Sequence, residues 1–146
     1  MSYQITYDTT RAPPRAAALV AFMEDFYRTS DTESLHEKYV QYFTQDATLI
    51  MGPKEAKGAS AILTLRQGLW THVASRRHTP VQIYFGSEDE IMLYGGVNYR
   101  LKANPDNDVY VPWAGRVVFS PQKEDDDLKM KFYQVYLDTA AQTGKK

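Results

Sequence analysis

Acid–base chemistry at neutral pH needs a group that changes charge there, and this chain holds three histidines, His36, His72 and His78. An imidazole, with a free pKa of ~6.5, gives or takes a proton in that range. His36 and His72 fall on predicted helices beside polar neighbours and read as surface residues. His78 opens a strand-like run and is the best chemical candidate. The plainer alternative is a strand-end histidine bonded to backbone or water. Arg116 interrupts the apolar run from Val111 to Phe119. Facing inward it needs a buried acidic or phenolic partner or an anionic ligand; facing outward it belongs to a subunit interface. Tyr27, Tyr39, Trp70, Tyr99, Trp113 and Tyr133 supply pocket walls and hydroxyl donors, or simply fill a core.

Several other chemistries lack their residues. No two histidines have a metal-binding spacing and no carboxylate cluster completes a site, so no metal is expected. The chain has neither a Gly-x-Ser-x-Gly elbow nor a phosphate-cradling glycine loop, and any reaction is expected to run without a cofactor. With 0 cysteines, disulfide and thiolate chemistry are excluded, in keeping with a cytoplasmic address. The 17 basic and 18 acidic residues leave a net charge of -1, which recruits neither nucleic acid nor an anionic membrane. The acidic run Glu124 to Asp127 reads as a solvated hairpin tip. Met1 to Thr10 has neither the basic start nor the apolar run of a signal peptide, and no stretch reaches membrane-spanning length.

These residues must be positioned by elements the sequence also announces. The 146 residues, 43% of them hydrophobic, suit one domain with a sizeable core. Residues 1–12 are expected to form an N-terminal arm and 139–146 a flexible tail. A first helix should start at Pro13-Pro14 and run towards Ser30, with Ala16, Leu19, Val20, Met23, Phe26 and Tyr27 on its buried face. Ser34 and Glu37 read as a capping box for a short second helix that turns Leu35, Tyr39, Tyr42 and Phe43 inward. Asp46 to Met51 reads as a brief strand stopped by Gly52-Pro53, and a third helix is capped near Ser60 and ends near Trp70. From Arg77 the period becomes that of strands, with turns at Gly86 to Glu90, Asn104 to Asp108 and Pro121 to Asp127. The runs Ile91 to Leu101, Val109 to Phe119 and Leu128 to Leu137 are apolar on both faces, so each face needs a cover. Helices cover one, and a second copy of the chain is expected on the other. Gly95-Gly96 within a strand marks a bulge or sharp bend. The result is an α+β fold: a cone-shaped, strongly curved, mostly antiparallel sheet wrapped around three N-terminal helices and enclosing a pocket.

The order of three helices, a small strand after the second and a four-stranded meander resembles the nuclear transport factor 2-like superfamily, in particular its SnoaL-like branch, over about Pro14 to Asp138. The local matches are Tyr42 to Thr48, Gly58 to Ile62 and Tyr136-Leu137-Asp138. Trp70 to His78 and Asp89 to Gly95 are similar to fungal SnoaL-like proteins of no assigned activity. The resemblance implies a dimer whose cavity serves isomerases, dehydratases, cyclases and epoxide hydrolases, or no enzyme at all. Against ketosteroid isomerase, the general base falls on Met51, the oxyanion tyrosine near Met23 and the protonated aspartate close to Gly115, so those three groups are missing. Against scytalone dehydratase, His78 matches one catalytic histidine, while the strand of the second carries Gly95-Gly96 and Tyr99. The first-helix Tyr-Asp pair of that enzyme is partly echoed, Tyr27 being followed by Arg28 and the aspartate arriving at Asp31. In SnoaL-like cyclases a late acidic residue serves as base, for which Asp138 is the candidate; the alternative reading is a solvent-facing end to the last strand.

Two readings of function stand. One is a lyase, isomerase or cyclase acting by acid–base chemistry on a small apolar or polyketide-like metabolite, with His78 as proton shuttle and tyrosine hydroxyls or Arg116 polarising an oxygen. The other is a non-catalytic small-molecule-binding or dimerisation module.

Overall fold

The structure is a computed structural model that describes residues 3–121 and 128–141. Its elements in chain order are β1 (Thr6–Tyr7), α1 (Ala16–Ser30), α2 (His36–Gln41), β2 (Phe43–Met51), β3 (Lys54–Lys57), α3 (Ala59–Gly68), β4 (Val73–Phe85), β5 (Glu90–Leu101), β6 (Asn104–Phe119) and β7 (Met130–Leu137). The strands form one sheet in the order β1-β4-β5-β6-β7-β2-β3. β4 to β7 are an antiparallel meander, while β2 runs parallel to β7 and β1 parallel to β4. The sheet is curved and unclosed, and its inner face packs on the helices as expected.

The apolar stripe of α1 explains that packing. Leu19, Met23, Phe26 and Tyr27 are all 0–1% exposed. Phe26 sits at the centre of an aromatic cluster with ring centroids 5.1 to 5.9 Å from Tyr27, Tyr39, Tyr42, Phe43 and Tyr133, which ties α1 to α2, β2 and β7. The N-terminal segment also contributes, since Tyr3 and Ile5 are buried and β1 pairs with Gln82 and Ile83.

Local details differ from the sequence reading for identifiable reasons. Ser34 does not cap α2, whose N-cap is Leu35, and α3 starts after Gly58 rather than at a Ser60 cap. Gly58 has φ +88, a conformation that suits glycine. β4 begins at Val73, five residues before His78. The turn expected at Asn104 to Asp108 is strand instead. The hairpin tip is Lys102-Ala103, and the extra residues are absorbed by a register shift between Arg100↔Asp108 and Leu101↔Asn104. Asn98 Nδ2 to Asp108 Oδ2 (2.6 Å) and Arg100 Nη1 to the Pro105 carbonyl (3.2 Å) hold that irregular ladder. The acidic run Glu124 to Asp127 lies outside the described residues.

Gly95 and Gly96 lie opposite a break in β4, whose register shifts between Pro80 and Gln82. A Cβ on Gly95 would collide with the Thr79 carbonyl oxygen and lie 2.7 Å from Pro80 Cα, both backbone. The three atoms nearest a Cβ on Gly96 would all belong to the side chain of Tyr110, which is 60% exposed and has room to rotate away. Gly95→Ala is therefore expected to cost about 1–3 kcal/mol through overpacking, and Gly96→Ala clearly less. Urea unfolding of the two variants checks this, and equal losses would contradict the backbone contact.

Candidate functional site

The last turn of α1 brings its carboxylate to the inner face of β4. Strand alternation points Arg76 and His78 to the same side, and Asp31, the C-cap of α1, lies against both. Asp31 Oδ1 is 2.6 Å from His78 Nδ1, and Oδ2 accepts the His78 backbone N–H at 2.7 Å and the Tyr3 hydroxyl at 3.0 Å. Arg76 Nε completes the set at 3.6 Å from Oδ1. The Asp31 side chain is only 4% exposed.

A buried carboxylate at a helix C-terminus opposes both desolvation and the helix dipole. Two buried arginines answer this. Arg66 of α3 donates through Nη1 to the Ser30 carbonyl (2.6 Å) and through Nη2 to that of Thr32 (2.8 Å). Arg76 donates to the Ser30 carbonyl and to Ser30 Oγ. Their guanidinium carbons stand 5.5 and 4.6 Å from the Trp70 ring centroid, and that of Arg66 stands 4.7 Å from Tyr39. Burial, with Arg76 nearby, lowers Arg66 to about 10, so it stays charged at neutral pH.

The protonation states follow. Burial alone would raise the Asp31 pKa, but His78, its hydrogen bonds and Arg76 outweigh that and hold it below the usual value. An ionised carboxylate only accepts, so the proton between the two residues sits on His78 Nδ1 and Nε2 is the free base nitrogen. Burial pushes the His78 pKa down, more than Asp31 pulls it up, and the two arginines push the same way, so the neutral form prevails at pH 7.

His78 faces a cavity of about 530 Å³ between the helices and the sheet. Ser30, Tyr39, Arg76, Tyr99, Trp113 and Tyr133 share its wall with aliphatic groups from α3, β5 and β7. The His78 ring is held between Tyr27 (centroids 5.1 Å apart) and Trp113 (5.7 Å). Tyr27 itself lies behind the wall, with its hydroxyl 2.9 Å from that of Tyr133. Burial raises both phenols, so they remain protonated. Tyr39 is 2% exposed and its hydroxyl has no hydrogen-bond partner among the described residues. Such a site can remove a proton from carbon and offer hydrogen bonds to the oxygen that receives the charge.

Of the residues singled out in the sequence, His78, Tyr39, Tyr99, Trp113 and Tyr133 meet at this cavity. Trp70 is the platform beneath the arginines. Arg116 lies on the outer face, with Nε 2.6 Å from Glu90 Oε2 and its guanidinium 5.0 Å from the Phe132 ring centroid. Asp138 is exposed after β7, where Oδ1 accepts the amides of Ala140 (3.0 Å) and Ala141 (3.4 Å). Sequence reasoning missed Asp31 as the partner of His78, and Arg66, Arg76 and Tyr3 altogether. The one local signal was the four-residue step from Tyr27 to Asp31, which places both on one helix face.

No family model matches the chain, and neither does any curated protein. Solved structures do share its fold. A candidate SnoaL-like polyketide cyclase from Jannaschia sp. CCS1 is similar with a TM-score of 0.74 at 8% identity, over 90% of this chain and 93% of that one. A candidate scytalone dehydratase from Novosphingobium aromaticivorans aligns with a TM-score of 0.64 at 22% identity, over 84% and 83%. A protein with a ketosteroid isomerase-like fold from Catenulispora acidiphila, in complex with trimethylamine, aligns with a TM-score of 0.70 at 15% identity, over 86% and 93%. The chain thus has the cone fold of SnoaL-like and ketosteroid isomerase-like proteins. Among the described residues no helix is long and apolar enough to cross a membrane.

Asp31→Asn is expected to destabilise the fold by about 3–5 kcal/mol, since it uncouples a buried pair, and to lower the His78 pKa further by removing the charge that raises it. Urea unfolding and NMR titration of the imidazole test both, and an unchanged His78 pKa would refute the coupling. The pH dependence has a definite sign. His78 is harder to protonate folded than unfolded, so stability declines as pH falls below ~6.5. The lowered Asp31 adds a second loss as pH falls below about 4 and through its folded pKa.

Proposed function

We propose that this protein is a cofactor-independent lyase, isomerase or cyclase acting on a small, largely apolar or polyketide-like molecule, with His78 as general base. The carrying observation is the 2.6 Å contact of His78 Nδ1 with a buried Asp31 carboxylate, which leaves a neutral, unprotonated Nε2 beside an open cavity. Asp31 is a positioning residue: it fixes the tautomer and ring orientation and stabilises the imidazolium once formed. The proton passes from a substrate carbon to Nε2, and the electron pair moves into an adjacent carbonyl, whose oxygen becomes an enolate. Tyr39 and Arg76 supply the hydrogen bonds and charge that this oxygen needs. Return of the proton to another atom gives isomerisation, ring closure gives cyclisation, and loss of a β-substituent gives elimination. The fold shared with candidate cyclases and a candidate scytalone dehydratase supports this range of chemistry. The two segments similar to fungal SnoaL-like proteins make fungal metabolites the first substrates to try, and the cysteine-free chain fits a reducing cytoplasm.

5-Nitrobenzisoxazole, which ring-opens on loss of one carbon-bound proton, tests the base without knowledge of the substrate. His78→Ala should lower kcat/KM by ~10²-fold or more when assayed below the variant's own thermal midpoint, which should itself fall because the buried Asp31 carboxylate loses a donor. Activity of the wild-type protein should stay level as pH falls through ~6.5 and drop only at lower pH, through the lowered folded pKa of His78, because protonation removes the base. Acceleration no greater than that of free imidazole, or equal rates in the variant, would leave the cavity as a non-catalytic binding site.

We also infer that a second copy of the chain covers the outer face of the sheet. Tyr84, Met92, Tyr94 and Tyr136 are 40 to 55% exposed there, and Tyr84 and Tyr94 stack with centroids 6.4 Å apart. Light scattering should give twice the chain mass, and Tyr94→Glu should shift it towards monomer. A wild-type monomer at micromolar concentration would refute the pairing.

A further inference from the structure

The cavity differs from the rest of the molecule in charge. The protein as a whole carries a net charge of -1, yet among the described residues the cavity is lined by Lys54, His72, Arg76, His78 and Lys102 and by no Asp or Glu. Arg76 and His78 stand deep in it. At its rim are Lys54, from the start of β3, His72, from the turn before β4, and Lys102, from the β5–β6 tip, all exposed. They come from three separate parts of the chain, so no local sequence run produces the coincidence. Lys54 and Lys102 make no side-chain ion pair or hydrogen bond among the described residues. Two acids are already committed: Asp31 is buried under three hydrogen-bond donors with Arg76 beside it, and Asp138 accepts two backbone amides.

Between rim and floor the wall is apolar, formed by Leu69, Val97, Leu101, Trp113, Val135 and Leu137. At the floor, the hydroxyl of Tyr39, a residue 2% exposed, has no hydrogen-bond partner among the described residues. A ligand that satisfies this arrangement has three parts: an anionic group at the rim, an apolar middle, and an oxygen acceptor at the inner end. We infer that the substrate is an amphipathic carboxylic acid whose apolar ring system carries a carbonyl or hydroxyl oxygen. The acid enters with the oxygen leading towards Tyr39 and His78, while the carboxylate stays in water between Lys54 and Lys102. Water-exposed ammonium groups suit this role, because they attract the anion without requiring it to be desolvated.

This names the substrate class of the site proposed above and rests on that reading for its reaction, but its test is a binding measurement that does not depend on catalysis. The probes are 2-naphthylacetate and its neutral amide, 2-naphthylacetamide, titrated calorimetrically at low and high salt. The acid should bind about fivefold more tightly than the amide at low salt, and the advantage should shrink at high salt. In the double variant Lys54→Gln/Lys102→Gln the advantage should vanish with amide affinity unchanged, which also shows that the cavity is intact. Equal binding of acid and amide, an unaltered preference in the double variant, or failure of both probes to bind would overturn the inference. A preference for the acid in a protein that does not ring-open nitrobenzisoxazole would uphold the anion site and remove the catalytic reading. Catalysis without the preference would do the reverse.

Discussion

The burial of one carboxylate, that of Asp31, organises the site and much of the fold around it. An ionised group with 4% exposure at the negative end of a helix is unfavourable by desolvation and by dipole. It persists because hydrogen-bond donors converge on it from the N-terminal segment (Tyr3) and from β4 (the His78 ring and amide), with the charge of Arg76 beside it. The α1 carbonyls beneath it are held in turn by Arg66 and Arg76. Helix, strand and arm are thereby fixed relative to one another by a single charge. The hydrogen bonds that stabilise the carboxylate are the same ones that orient the imidazole.

The sheet's curvature makes room for that arrangement. A flat sheet against α1 would press its inner side chains into the helix, whereas the break in β4 at Pro80, matched by a glycine pair on β5, lets the strands bend. The bend separates two regions with different packing. On one side, Phe26 packs ring against ring with Tyr27, Tyr42 and Phe43, and its contacts with Tyr39 and Tyr133 mark the boundary. On the other, Tyr39, Tyr99, Trp113 and Tyr133 enclose volume without filling it. The same kind of residue serves as core at one end and as wall at the other, and only the distance between helix and sheet distinguishes them.

Electrostatics follow the same division. The basic groups of the cavity, Arg76 and His78 deep within it and Lys54, His72 and Lys102 at its rim, are brought together from β3, β4, the turn before β4 and the β5–β6 tip in a chain of nearly balanced charge. The charge of Arg76 is neutralised in part by Asp31, while the rim faces water. Arg116, by contrast, lies on the outer face with Glu90 and has no part in the cavity.

Periodicity in the sequence determined the class of fold: three amphipathic helices followed by strands apolar on both faces leave few ways to bury the apolar area other than a curved sheet around a helix. It also determined that His78 is the histidine at the start of the meander, and that Tyr39, Tyr99 and Trp113 face inward. It could not determine the partner of His78. Asp31 and His78 are 47 residues apart, and an aspartate at a helix end has the same local signature whether it meets a histidine or water. For that reason Asp138, at the end of a strand, looked equally suitable. Nor could it reveal that Arg66 of α3 is fully buried, because the Ser30 carbonyl that helps compensate its charge belongs to another helix. Local spacing encodes which face of an element is apolar. The pairing of charges across elements depends on how those faces are brought together, and that was decided only by the tertiary structure.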